Sequence, residues 1–216
     1  FTLKAAWLIA RYGIAALRQA VAGGQYEYPR GLFFGGQGPS EMQLLLREQL
    51  PRWVAGSKNV VHLDFHTGLG AAGDCKLLID YQLEAWQRRC LTDWFGPDSF
   101  EANESSRLAY ESRGGFGQWC VAQELAPNYL FAVAEFGTYP PVKVLQGLRT
   151  ENQAHHWGKP DALSTIDAKQ RLAELFCPAS DAWRTQVLTR SRELVRQAQQ
   201  GLLDGVSTET ADETAN

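Results

Sequence analysis

The chain has 216 residues, 44% of them hydrophobic, and it carries Trp 7, Tyr 7 and Phe 10 times. That suffices for one domain with a substantial core and excludes an intrinsically disordered chain. The net charge of −3 falls in an acidic end (Asp204, Glu209, Asp212, Glu213) without Lys or Arg, so no basic field invites nucleic acid.

The chain opens on Phe1 rather than Met, as though in the middle of a protein. Residues 3–21 space Leu3, Trp7, Ile14, Leu17 and Val21 as one helix face, stopped by Gly23-Gly24. A loop rich in Gly and aromatics follows, "GGQYEYPRGLFFGGQGPS". Loops this long in compact domains are often functional. Ser40 and Gln43 form a capping-box pattern before the apolar stripe Met42, Leu45, Leu46 and Leu50.

"NVVHLDFH" reads as a strand, with Val60, His62, Asp64 and His66 on one face and Val61, Leu63 and Phe65 on the other. "KLLID" is a weaker strand pattern, and "LEAWQRRCLTDWFG" is helical up to Gly96-Pro97. Residues 97–118 are mixed and Gly-rich. "YLFAVAEFG" is nearly continuously apolar, as in a sheet covered on both faces. "PVKVLQGLRTENQAHHW" and "STIDAKQRLAELF" are helical patterns, the second with Ser164 as its expected cap. Ser180 caps a long helix reaching about Leu203. Residues 1–203 are expected to form one domain and 204–216 a disordered acidic tail. Strands alternating with helices predict an α/β fold with a mostly parallel or mixed sheet.

No apolar run reaches the roughly 20 residues of a membrane span, and no signal peptide is evident. Cys75, Cys90, Cys120 and Cys177 lack metal-knuckle spacing. They are expected to be reduced thiols of a cytoplasmic protein.

Two strands end in a chemically able residue followed closely by glycine: His66-Thr67-Gly68 and Glu135-Phe136-Gly137. Ligands of open α/β sheets bind outside the carboxyl ends of strands. A histidine and a carboxylate there suit a metal ligand and a general base. On a strand, His62 and His66 lie roughly 13 Å apart and do not share an ion, so His62 belongs inside. Asp64 shares the face of His66, where it could orient a ligand or a neighbouring loop. His155-His156 suits a helix C-terminus.

"DFHTGLG" (64–70) and "AEFGTYP" (134–140) resemble signature blocks of a bacterial family catalogued as a domain of unknown function. That family is grouped with the zinc carboxypeptidases and the succinylglutamate desuccinylase/aspartoacylase enzymes. "GGQYEYPRGLFFGG" (23–36), "LRTENQAHHWG" (148–158) and "LFCPASDAWR" (175–184) are similar to further blocks. The resemblance implies a zinc-carboxypeptidase-like three-layer α/β/α fold. It also implies a zinc-dependent metallohydrolase acting on a peptide or another amide, with His66 as third zinc ligand and Glu135 as general base. Arg149, Tyr139 and Thr67 are candidate substrate contacts, and Asp64 supports His66.

The family's HxxE zinc pair is missing. None of His62, His66, His155 and His156 is followed three residues on by Glu. The chain therefore reads as an incomplete C-terminal portion with one of three zinc ligands, inactive alone. It is expected to dimerise or to be completed by an N-terminal half. The alternative is a non-catalytic binding module that keeps the pocket loops without zinc. A serine hydrolase is disfavoured by the lack of GxSxG.

Overall fold

The computed structural model describes residues 23–68, 70–102 and 115–206. The helix expected over residues 3–21 and nearly all of the acidic tail lie outside these residues. The elements run α1 (Glu41–Val54), β1 (Asn59–Gly68), β2 (Cys75–Ile79), α2 (Ala85–Phe95), β3 (Phe100–Ala102), α3 (Phe116–Ala122), β4 (Asn128–Gly137), α4 (Pro141–Trp157), α5 (Leu163–Phe176) and α6 (Asp181–Asp204).

Four strands form one mixed sheet in the order β1-β4-β2-β3. β1 runs parallel to β4, β2 is antiparallel to β4, and β3 is parallel to β2. β4 is central, which explains its nearly unbroken apolar sequence: Leu130, Phe131, Ala132 and Ala134 are all buried. One sheet face buries Leu77, Leu130, Ala132, Ala134 and Phe136 against Leu91 and Phe95 of α2 and Leu194 and Ala198 of α6. The other buries Tyr129 and Phe131 against Leu50 and Val54 of α1 and Cys120 of α3. The architecture is α/β with helices on both faces of a mixed sheet.

Gly201 lets α6 close on α2. A β-carbon there would stand 2.3 Å from Trp94 ring atoms. α4 and α5 meet the same way, with Gly147 against Leu175.

Helix starts follow local chemistry. Ser40 accepts from the Gln43 backbone N–H, and Ser180 from that of Trp183, satisfying amides the helices leave unpaired. Glu84 and Gln87 make a capping box at α2 that the sequence pattern did not flag. Ser164 is not a cap. α5 begins at Leu163 after Ala162, whose carbonyl accepts from Thr165 and Ile166, so Ser164 already lies in the first turn. β3 forms inside the stretch read as mixed, and α3 begins at its end. α3 is held by Phe116 and Trp119 packing toward Phe131, a contact that is remote in sequence.

All four cysteines are free thiols, Cys90 and Cys120 buried and Cys177 exposed. Among the described residues no helix is long and apolar enough to cross a membrane.

Candidate active site

Parallel pairing places His66 opposite Glu135, Thr67 opposite Phe136 and Gly68 opposite Gly137. Paired residues of neighbouring strands share a face and stand roughly 5 Å apart along the hydrogen-bonding direction. The imidazole of His66 and the carboxylate of Glu135 therefore project side by side at the carboxyl ends of β1 and β4. On the other side of β4, Glu135 pairs with Lys76 of β2. The three side chains make a cross-strand row of imidazole, carboxylate and ammonium. Lys76 went unnoticed in the sequence because only the antiparallel register of β2 brings it there. Its Nζ donates to the Asp98 carbonyl.

His66 is exposed, and its Nε2 lies 2.8 Å from Asp64 Oδ2. Residues i and i+2 of a strand point the same way, so this contact follows from the strand itself. A carboxylate on one ring nitrogen fixes the ring and makes the other, here Nδ1, the better ligand.

Backbone contacts staple the two strand ends together. Thr138 Oγ1 donates to the Gly68 carbonyl at 3.0 Å. The Gly137 N–H donates to Asp74 O, and the Gly73 N–H to Gly137 O. Trp183 Nε1 of α6 also donates to Gly137 O at 2.9 Å. A β-carbon on Gly137 would lie 2.0 Å from Ala71 O, so only glycine lets the loop after β1 cross β4 here. A β-carbon on Gly68 would lie 3.2 Å from Phe176 Cε1 and 3.5 Å from Glu135 Oε1. Gly68 thus keeps space open beside the carboxylate.

His62 is half-buried, as expected. Its ring sits edge-on to Phe116, Tyr129 and Phe131, and Nδ1 lies 2.8 Å from Tyr129 Oη. Burial lowers its pKa, outweighing the opposite pull of Asp64. Cys75, on β2 next to the stapled loop, has its thiol pushed up to about 11, chiefly by burial. It is held as the neutral, weakly nucleophilic form.

The remaining candidates serve other contacts. Thr67 points to the opposite sheet face and donates to Phe176 O at 2.6 Å, tying β1 to the end of α5. Tyr139 donates to Glu174 Oε1 at 2.7 Å, while Lys143 Nζ sits 3.8 Å from its ring centroid. The Ala179 N–H donates to the other oxygen of Glu174. The Tyr139 hydrogen bond is the main reason that the Glu174 carboxyl titrates below its usual range. Arg149 lines a separate groove of about 350 Å³ with Asn152, Gln153 and Trp157, all on α4. His155 and His156 occupy the last turn of α4. Of the proposed site residues, the fold brings His66, Glu135 and Asp64 to one place.

The family model described as "Protein of unknown function (DUF2817)" matches residues 1–190. The chain belongs to that family. The match takes in both strand ends, with the row His66, Glu135 and Lys76, so the site lies within the DUF2817 region. No curated protein and no solved structure matches the chain.

Proposed function

We propose that the chain is part of a zinc-dependent metallohydrolase with a zinc-carboxypeptidase-like fold, acting on a peptide or N-acyl amino acid amide. The observation that supports this is the pairing of His66 with Glu135 at adjacent parallel strand ends. Asp64 behind His66 adds the orienting partner that a metal-ligating imidazole commonly has.

Catalytic zinc takes three protein ligands. Among the described residues no group of three or more His, Cys, Asp or Glu side chains is arranged to hold an ion. These residues do not fit zinc by themselves. In this reading two ligands are supplied by a complementing N-terminal polypeptide that carries HxxE. What this chain contributes is His66, held by Asp64, and Glu135. Glu135 takes the proton of the attacking water and returns it to the leaving nitrogen. Gly68 leaves room for the substrate carbonyl beside that carboxylate.

The test uses two proteins: the chain alone, and the chain extended by N-terminal residues bearing HxxE. The chain alone is expected to retain less than one zinc per molecule on dialysis. The extended protein is expected to hold one, lost with His66→Ala. Glu135→Gln should keep the zinc and lower amide hydrolysis by roughly 100-fold or more. Zinc retained by His66→Ala, or turnover unchanged by Glu135→Gln, sinks the reading.

A second reading, a non-catalytic binding module, is supported by the self-contained loop around Gln25. There Gln25 Oε1 accepts from the Glu27 and Tyr28 amides and Nε2 donates to Tyr28 O and Leu32 O. An extended protein free of zinc would select it.

A further inference from the structure

A groove of about 410 Å³ runs between the loop ahead of β2, with Gly73, Asp74 and Cys75, and a polar face of α6, with Gln186, Arg190 and Glu193. Along α6 these three residues are four and three apart, so they share one side of the helix. The loop wall is held by backbone. The Gly73 N–H donates to Gly137 O, the Gly137 N–H to Asp74 O and the Asp74 N–H to Ala71 O. Gly73 has φ +82°, and a β-carbon there would stand 2.4 Å from Gln186 Oε1. Only glycine lets the Gln186 amide lie over the loop. The groove is distinct from the row at the strand ends. Cys75 pairs with Phe136, and Lys76 with Glu135. Successive residues of a strand point to opposite faces, so the Cys75 thiol and the Glu135 carboxylate lie on opposite sides of the sheet.

The charges of the groove select its ligand. One guanidinium, Arg190, stands with two carboxylates, Asp74 and Glu193. Cys75 adds no charge, since burial pushes its thiol up to about 11. The excess of negative charge disfavours phosphate or a dicarboxylate. Among the described residues no group of three or more His, Cys, Asp or Glu side chains is arranged to hold a metal ion. A ligand bearing both signs remains. The spacing narrows it further. Arg190 Nη1 lies 3.2 Å from Glu193 Oε2, with the side chains 30% and 43% exposed. In an α-amino acid the ammonium nitrogen and the carboxylate oxygens are about 3 Å apart. Laid head to tail along the pair, such a molecule sets carboxylate on guanidinium and ammonium on carboxylate. Arg190 holds Glu193 through one nitrogen, which leaves other N–H donors of its fork for a second carboxylate. Exposed ion pairs are weak, so Glu193 can share its oxygens with an ammonium.

We propose that this groove binds a free α-amino acid, its carboxylate on Arg190 and its ammonium on Glu193 and Asp74. Recognition is of the two charged groups, and the ligand side chain points along the open groove. The site stands apart from the proposed hydrolytic centre and does not depend on zinc.

The test is calorimetric titration of the full chain with glycine, leucine, glutamine and lysine. At least one should bind saturably. Its amide, which lacks the carboxylate, and its N-acetyl form, which lacks the ammonium, should each bind about ten-fold more weakly or worse. Arg190→Met should abolish binding, and Arg190→Lys should restore part of it. Should Arg190→Met fail to fold, Glu193→Gln decides: it should weaken the amino acid while leaving the N-acetyl form no weaker. His66→Ala should bind the amino acid as the parent chain does. No saturable binding by any of the four overturns the proposal, as do equal affinities for the amino acid and its blocked forms. Binding that survives Arg190→Met, or that is lost with His66→Ala, also overturns it, because the ligand would then sit elsewhere.

Discussion

His62 and His66 share a strand and a face, yet they stand in different surroundings. His66 projects beyond the packed part of the sheet, with Asp64 as its partner. His62 is hemmed in by three aromatic rings and Tyr129 Oη. Burial disfavours the imidazolium, so the folded pKa of His62 lies below the ordinary value near 6.5. The unfolded chain then binds a proton that the folded chain does not. The stability that His62 contributes is complete above about pH 6.5 and is lost as pH falls from there through the depressed folded value. Urea midpoints should drop between neutral pH and pH 5, and His62→Phe should flatten that slope. An unchanged slope in the variant would remove His62 as its source. Tyr139 teaches a related lesson. It follows β4 in the chain, and its hydroxyl donates to Glu174 at 2.7 Å. Sequence distance along a strand end says nothing of a partner 35 residues away.

At the scale of elements, close approach outweighs propensity at Gly201. Replacing glycine by alanine inside a helix ordinarily stabilises by about 1 kcal/mol. Here the added β-carbon meets the Trp94 ring, which is itself packed between α2 and α6. Overpacking of that kind costs about 1–3 kcal/mol, so the net sign should reverse. Gly201→Ala is expected to lower the thermal midpoint, whereas Gly→Ala at an uncrowded helix position would raise it. A raised midpoint would mean that α6 can shift without loss. The periodic elements were legible because their patterns are local: the 3.6-residue stripe of α1 and the alternation in β1 need no partner to be seen. β3 and α3 were not, since three residues of strand and seven of helix are held by pairing with β2 and by Phe131. The misplaced cap at Ser164 has a similar cause. The turn at Ala162 sets the start of α5 through backbone hydrogen bonds alone.

For the whole molecule, the chemistry turns on the position of β1 in the sheet. Among the described residues it is an edge strand, ten residues long, with Phe65 43% exposed. Long apolar edges offer unpaired backbone groups to another chain. The proposed completion by an N-terminal half, or by a second copy, uses this edge. Sedimentation of the chain alone should therefore show association at micromolar concentration, and Phe65→Lys should shift it toward monomer. A clean monomer that binds no hydrophobic dye would argue that the edge needs no partner.

The residues alone determined the identities of the longer strands and helices, the inward place of His62, and the two strand ends that carry His66 and Glu135. These follow from periodicity and from the chemistry of single side chains. Only the tertiary structure decided that β1 and β4 are neighbours in register, so that the imidazole and the carboxylate share one face. It also brought Lys76 alongside and set the hydrogen bonds of Thr67 with Phe176 and of Tyr139 with Glu174. Pairing between strands is a non-local choice, made by burial of β4 between two helical layers, and no spacing within the chain encodes it.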